Sequence, residues 1–367
     1  MNTFPEGNAI VYCEGAFNTT NGKTAHGLVR FTNRYNVLSV VDSVYSGQDA
    51  GEVLDSRPSG IPILQSIKDA YDYALKNNKP ATHLVVGLAP DGGRLSDSAR
   101  NDVKKALEYG LNVDCGLHDF LSEDPDIIAA AGQRGLVIRD IRKPLPRDSY
   151  HFFTGKINQV NSLKVAVLGT DSAIGKRTTA WIIEKALNKN KHSAIMVGTG
   201  QTAWMQGARY SIIMDTLVND FVSGEIEHAV WSAWNDCQPE MILIEGQGSL
   251  LNPAYPGGFE ILAAGRPDIV ILQHAPARKE YDGFPGYPIQ PLKHQIQAIE
   301  IISGKRVVAI TVNHEDIKPE DIPGVCNQIT SETGLPAFDV LLNGADQLAD
   351  LIVSYISDKT DGKRVVA

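Results

Sequence analysis

Residues 163–179 read LKVAVLGTDSAIGKRTT, and this run constrains the fold more than any other part of the chain. An apolar stretch at 165–168 feeds a turn that opens at Gly169 and closes at Gly175-Lys176, and a segment that can be helical follows directly. Strand, glycine-bounded turn, lysine and helix is the order in which a phosphate-binding loop is written. Backbone N–H groups in such a turn converge on an anion, and the helix N-terminus adds a favourable dipole. Lys176 supplies a mobile positive charge for the outer phosphates. The competing reading is a glycine turn between strand and helix that holds no ligand.

The spacing departs from G-x-x-x-x-G-K-[ST] at two places. The first glycine would fall at Thr170 but stands one residue earlier, at Gly169. The residue after the lysine, whose hydroxyl normally binds Mg²⁺, is Arg177, and the hydroxyls come next, at Thr178 and Thr179. The candidate ligand-binding residues are Gly169, Thr170, Asp171, Ser172, Gly175, Lys176, Arg177 and Thr178, with Thr178 also a candidate metal ligand. Arg177 leaves bound Mg²⁺ an open question. The G-T-D that precedes G-K resembles the dethiobiotin synthetase branch of P-loop proteins.

A chain of 367 residues is long for one domain and comfortable for two. Its 34 Lys and Arg against 43 Asp and Glu give a net charge of −9, which argues against a general nucleic-acid binder but not against a small anionic ligand. Cys13, Cys115, Cys237 and Cys326 form no C-x-x-C pair, as suits reduced thiols in a cytoplasmic protein. The opening MNTFPEGNAIVY has no basic region ahead of an apolar stretch, so no signal peptide is expected. No apolar run approaches the length of a membrane span. The expected partner is a small molecule, with neither nucleic acid nor membrane. A homo-oligomer is expected only because such assemblies are common among soluble enzymes.

Both halves alternate apolar, strand-like runs with helical spacing, which implies two three-layer α/β domains with mostly parallel sheets. In the first half, strands are expected at 9–13, 37–42, 83–88, 111–115 and 136–139, with helices at 63–77 and 98–109. Ser96 or Asp97 is available to cap the second helix. RKPLPRDS at 142–149 breaks the pattern, giving a first domain at 1–150, a P-loop domain at 151–357 and a tail at 358–367. In the second half, strands are expected at 164–169, 193–198, 241–245, 269–274, 307–312 and 337–340. Helices are expected at 176–188, 206–222, 225–235, 291–302, 319–333 and 345–356.

Ligands of such sheets gather at the carboxyl ends of the strands. Glu245 closes an apolar strand and is followed by Gly246, as in the second part of a P-loop site, so it is a candidate metal ligand and a candidate catalytic residue. His274, also at a strand end, is a candidate general base, although a hydrogen-bonded structural histidine satisfies the same pattern. Arg278 and Lys279 just beyond it, Arg94 after GLAPDGG, and Gln201 in GTGQTAW are candidates for holding an acidic substrate. The Trp204 loop either closes over a ligand or simply packs on a neighbouring helix. Asp42 ends a strand where a ribose-binding acid would stand, but no G-x-G-x-x-G precedes it, which argues against a dinucleotide site.

Taken in order, KTAHGLVR, DAGEVL, GLAPDGGRL, GLHDFL, GTDSAIGKRTT, GTGQTAWMQGA and EGQGSL run from Lys23 to Leu250. This order resembles the D-glutamate N-acetyltransferase-like family, formerly known as a domain of unknown function, over about residues 8–355. The resemblance implies an N-terminal Rossmann-like domain joined to a P-loop domain. It also implies acetyl transfer from acetyl-CoA to the amino group of D-glutamate. Carried over with it are Gly169, Gly175, Lys176, Thr178 and Glu245. Amine acetylation by a thioester needs no ATP, so one reading has the Lys176 loop gripping a phosphate of CoA. A second is a carboxylate–amine ligase that uses ATP and Mg²⁺, and a third is a nucleotide-sensing protein without turnover.

Overall fold

A computed structural model describes residues 4–362. The chain forms two compact units, Met1–Leu145 with Gln201–Ala208, and Pro146–Gly200 with Arg209–Ala367. The sequence marks its break at 142–149, and the division falls inside that stretch. No linear pattern announces that the short segment Gln201–Ala208 groups with the first unit.

The first unit is built on six parallel strands, β1 (Gly7–Tyr12), β2 (Tyr35–Val41), β3 (Ile63–Leu64), β4 (His83–Val86), β5 (Asn112–Cys115) and β6 (Ile138–Asp140), in the order β3-β2-β1-β4-β5-β6. This is the Rossmann order, with its switch point between β1 and β4. Ala9–Tyr12 and all of β4 are buried, because helices cover both sheet faces. The helix Asp97–Glu108 starts where the sequence placed it, with Ser96 accepting from the Ala99 N–H at 3.2 Å. The helix expected at 63–77 begins later, at Ile67, because Ile63 and Leu64 pair with β2 and Ser66 caps the following turn. The helices Lys23–Arg30, Ala50–Asp55 and Pro125–Gly132 were not anticipated. The last had a legible start, an Asp124 cap followed by Pro125 at the first turn.

The second unit carries seven parallel strands, β7 (Leu163–Gly169), β8 (Ala194–Gly198), β9 (Tyr210–Ser211), β10 (Met241–Glu245), β11 (Ile269–His274), β12 (Val307–Val312) and β13 (Ala337–Phe338). Their order is β13-β12-β11-β7-β10-β8-β9, which puts the phosphate-loop strand at the centre. All residues of β7, β10 and β12 are buried, the mark of a sheet covered on both faces. β7, β10, β11 and β12 match their expected positions within a residue.

Two expectations are corrected. The helix expected at 206–222 is instead the end of the helix Gln201–Gln206, the strand β9 and a short turn, and a single helix Asn219–Cys237 replaces the shorter one expected at 225–235. Gly207, at φ +99°, ends the first helix in the left-handed region. Tyr210 and Ile212 then alternate into the core beside β8, a period of two rather than 3.6. At the other end, the helix Asp346–Gly362 continues through 358–362, expected as tail, while 363–367 lie outside the described residues. Leu348, Ala349 and Ile352 bury its first turns, and a helix once started adds one hydrogen bond per residue.

Candidate phosphate-loop site

The loop Thr170–Gly175 leaves the end of β7 and enters the helix Lys176–Lys189. It closes through Gly175 at φ +96° and Ala173 at φ +52°. A Cβ at Gly169 would stand 2.8 Å from Lys176 Cδ and 2.9 Å from Ile174 Cδ1. The loop therefore folds back over the last strand residue itself, which explains why its first glycine comes one position early. Beneath it, Gln273 Oε1 accepts from the hydroxyls of Thr179 and Thr311, both at 2.6 Å, tying the helix to β11 and β12. Thr170 donates its N–H to Gln273 O at 3.0 Å and accepts from Gln295 Nε2 at 3.2 Å.

Asp171, expected among the ligand-binding residues, uses its side chain to brace the loop. It is wholly buried and accepts from Ser172 N–H (2.7 Å), Asn252 Nδ2 (2.8 Å), Asp282 N–H (2.9 Å) and Arg278 Nη1 (2.8 Å). Arg278, expected to hold substrate, divides its guanidinium between this carboxylate, Ser172 O and a two-pronged grip on Glu315 at 2.8 and 2.7 Å. Burial alone would lower the Arg278 pKa, and the bonds to Glu315 and Asp171 outweigh it and raise it. Both arrangements have one physical reason: a wholly buried carboxylate needs partners, and the arginine supplies one.

Lys176 is 7 % exposed, and its Nζ donates to Asp171 O at 2.6 Å and Gly248 O at 2.7 Å. It thus joins the phosphate loop to the turn after β10. Burial pushes its amine down to about 8, with Asp171 and Glu245 opposing the shift and Arg278 reinforcing it. Glu245 accepts from the Thr199 N–H at 2.8 Å, and Gln247 Nε2 reaches the Thr199 hydroxyl at 2.9 Å. Burial raises the Glu245 carboxyl above its ordinary range, against the positive field of Arg177, the Thr199 bond and Lys176. Gly246 is required here, since a Cβ would lie 2.4 Å from Val167 O. Ser249 Oγ, buried in the same turn, has no hydrogen-bond partner among the described residues. The site therefore combines cationic Lys176 and Arg177 with one high-pKa carboxyl and an unsatisfied hydroxyl. Thr178 is half-buried on the first turn of the helix. Among the described residues, no group of three or more His, Cys, Asp or Glu side chains is arranged to hold a metal.

His274 Nδ1 lies 3.0 Å from the Thr170 hydroxyl, and burial, helped by Lys279, pushes its imidazole down to about 4. It is neutral at neutral pH but a weak base. Lys279 is exposed and donates to Pro276 O at 3.2 Å. Arg94 and Gln201 belong to the first unit. There Arg94 is exposed and Gln201 is buried against Gly116. Trp204, also in that unit, lies under Arg34 at 3.6 Å, as the packing reading of its loop requires. Asp42 accepts from the N–H groups of Phe17, Val44 and Tyr45, so its oxygens close backbone turns. A groove of about 630 Å³ in the first unit, lined by Asn8, Tyr35 and Lys79 among others, sits where β1 and β2 begin, away from the strand ends that carry the chemistry.

The sequence reading missed three residues of the second unit. Asn252 and Asn313 support the loop, the latter donating to Ile174 O at 3.1 Å. His314, after β12, pairs through Nδ1 with buried Asp339 at 2.5 Å. The pattern that singled out Glu245 and His274, polar residues directly after an apolar strand, applies equally to Asn313-His314-Glu315.

Similarity to known proteins agrees with this architecture. Residues 151–349 match the domain of unknown function DUF1611_C, described as a P-loop domain, and residues 43–144 match DUF1611_N, a Rossmann-like domain. Two relatives are named D-glutamate N-acetyltransferase. The protein from Tritonibacter scottomollicae is 29 % identical over 281 residues, covering 75 % of this chain and 82 % of its own. The one from a Pseudoalteromonas species is 28 % identical over 279 residues, covering 73 % and 80 %. A crystal structure of a DUF1611 family protein from Anabaena variabilis superposes with a TM-score of 0.86 at 28 % identity, covering 95 % of this chain and 100 % of that one. With a Rossmann-ordered sheet, a P-loop sheet and matches to both domain families, the chain belongs to the DUF1611 family.

Proposed function

We propose that this protein is an N-acetyltransferase that moves acetyl from acetyl-CoA to the amino group of an acidic D-amino acid, its P-loop gripping a phosphate of CoA. The names of the two relatives support the reaction class. The observation that carries the CoA assignment is Arg177. It stands where a magnesium-binding hydroxyl belongs, and its positive field acts on Glu245, the acid that would face the metal. A cation from the protein in that position favours an anion bound without a divalent ion.

The reaction needs a deprotonated amine, donors for the developing oxyanion and a grip on CoA. Lys176, Arg177 and the backbone N–H groups of the loop serve the grip. Lys279, in the same unit as the loop, is the candidate for a substrate carboxylate there, and Arg94 is a separate candidate within the first unit. If Arg94 binds one, Arg94→Ala raises KM more than it lowers kcat.

A second reading, a carboxylate–amine ligase, is favoured by Glu245 closing β10 and by Thr178 on the first helical turn, the two groups that would hold Mg²⁺ beside ATP. A nucleotide sensor without turnover would use the same loop. One experiment separates the three. The protein is incubated with acetyl-CoA and a panel of D- and L-amino acids, with EDTA or with Mg·ATP, and free thiol and ADP are measured. Thiol release that EDTA leaves unchanged supports the proposal. ADP release with no thiol supports the ligase, and tight nucleotide binding with neither product supports the sensor.

A further inference from the structure

The acetyl-transfer reading leaves open which group takes the proton from the acceptor ammonium. His274 is poorly suited, because the partner of its Nδ1 is the neutral Thr170 hydroxyl rather than a carboxylate, and burial depresses its basicity. The second unit holds another imidazole at a strand end. His314 follows β12, and its neighbours in sequence both reach the phosphate-loop assembly. Asn313 donates to Ile174 O, and Glu315 grips Arg278, which in turn holds Asp171 and Ser172 O. Residues 313–315 are thereby pinned at the rim of the same crevice.

Asp339 holds His314 Nδ1 at 2.5 Å. The Asp339 side chain is wholly buried, while that of His314 is 30 % exposed. The other carboxylate oxygen caps the helix Val340–Asn343 through the Leu342 N–H at 2.9 Å, so the orienting group is itself fixed. With Nδ1 taken, Nε2 is the nitrogen left for proton exchange. A buried carboxylate and an oriented imidazole on a partly exposed side chain are the parts of a general base. The position is also suitable. The thioester of CoA lies at the end of a long arm away from its phosphates, so the base should stand beside the phosphate loop rather than inside it. β12 is two strands from β7, about 10 Å across the sheet.

We propose that His314, oriented by Asp339, is the general base of the transfer. The inference rests on the acetyl-transfer reading above. His314 Nε2 takes a proton from the acceptor ammonium and later returns it to solvent. The freed amine nitrogen attacks the thioester carbonyl, forming the C–N bond. Collapse of the tetrahedral intermediate breaks the C–S bond, and the second amine proton leaves with the CoA thiolate as thiol. Asp339 is a positioning residue.

The test uses the full chain with acetyl-CoA and the amino acid that wild type acetylates best, reading thiol release, and CoA affinity by calorimetry. His314→Ala should lower kcat roughly 100-fold, leave CoA affinity within about twofold, and regain activity with added imidazole. Asp339→Asn keeps a capping side chain, so the fold should survive while kcat falls about tenfold without imidazole rescue. Wild-type kcat in His314→Gln overturns the inference while acetyl transfer stands. So does a His314→Ala loss that imidazole does not restore and that comes with a lowered melting temperature, because that result marks a structural histidine. If wild type releases no thiol with any amine, the acetyl-transfer reading itself falls, and this inference with it.

Discussion

Arg278 Nη1 lies 2.8 Å from Asp171 Oδ2, and the Asp171 carboxylate is wholly buried beneath the phosphate loop. The same guanidinium grips Glu315 with two bonds, so one side chain ties the loop after β7 to the segments after β11 and β12. A single arginine thus braces the phosphate loop, with its own charge shared between Asp171 and Glu315.

Removing that arginine should act first on stability. Arg278→Ala leaves Asp171 with three hydrogen bonds and the field of Lys176 but without its ion-pair partner, and the expected cost is about 3 kcal/mol. Arg278→Lys recovers only part of it, because an ammonium cannot reproduce the paired bonds to Glu315. Urea unfolding followed by circular dichroism measures both. An unchanged midpoint with a raised KM would return Arg278 to the role of substrate ligand.

If the loop binds CoA as proposed, Lys176 should make that binding depend on pH. Its folded-state amine titrates at about 8, against an ordinary 10.5, so the folded protein gives up this proton before the unfolded chain does. The unfolded state binds more protons between those values, and this residue's contribution to stability therefore rises with pH from about 8 to 10.5. A bound phosphate would reverse the shift by favouring the ammonium. CoA binding above pH 8 should then take up a proton and weaken as pH rises. Calorimetry at pH 8.5 in buffers of different ionisation enthalpy reads the uptake directly, and Lys176→Ala should abolish it along with binding.

Gly246 separates a packing requirement from a chemical one. Gly246→Ala would drive a methyl to within 2.4 Å of Val167 O and 3.0 Å of Leu168 Cα, both backbone atoms that cannot step aside. The expected loss is about 2 kcal/mol, with CoA binding reduced in the surviving folded fraction. A fully stable Gly246→Ala protein would mean that the strand pair yields more than its buried surroundings suggest.

In the first unit, Trp204 carries a comparable load. Arg34, itself 4 % exposed, stacks on its ring at 3.6 Å and donates from Nε to its carbonyl at 2.8 Å. Trp204→Ala removes the stacked face and should lower stability by about 2 kcal/mol, while Trp204→Phe should keep roughly half of that. Thermal unfolding followed by circular dichroism is the measurement. Activity lost without a change in melting temperature would mean that Trp204 acts on substrate rather than on packing.

Local pattern carried much of the architecture. Apolar runs bounded by glycine, proline and capping residues located the central strands of the second sheet, because a strand buried on both faces must be apolar throughout. Gly169, Gly175 and Lys176 announced the phosphate loop, since Gly169 leaves room for the loop to fold back, Gly175 takes a left-handed backbone and Lys176 carries the charge. The sequence by itself therefore determined two α/β domains, the phosphate loop and the positions of its carboxylate and histidine candidates. It did not determine which charged groups are free. Asp171, Arg278 and Glu315 lie far apart in the chain, and only the folding of three strand ends into one crevice shows that they pair with one another. The same holds for His314 and Asp339, which are 25 residues apart and meet because the segments beyond β12 and β13 converge. A side chain's chemistry is local, but its partners are set by which strand ends become neighbours, and tertiary packing alone decides that.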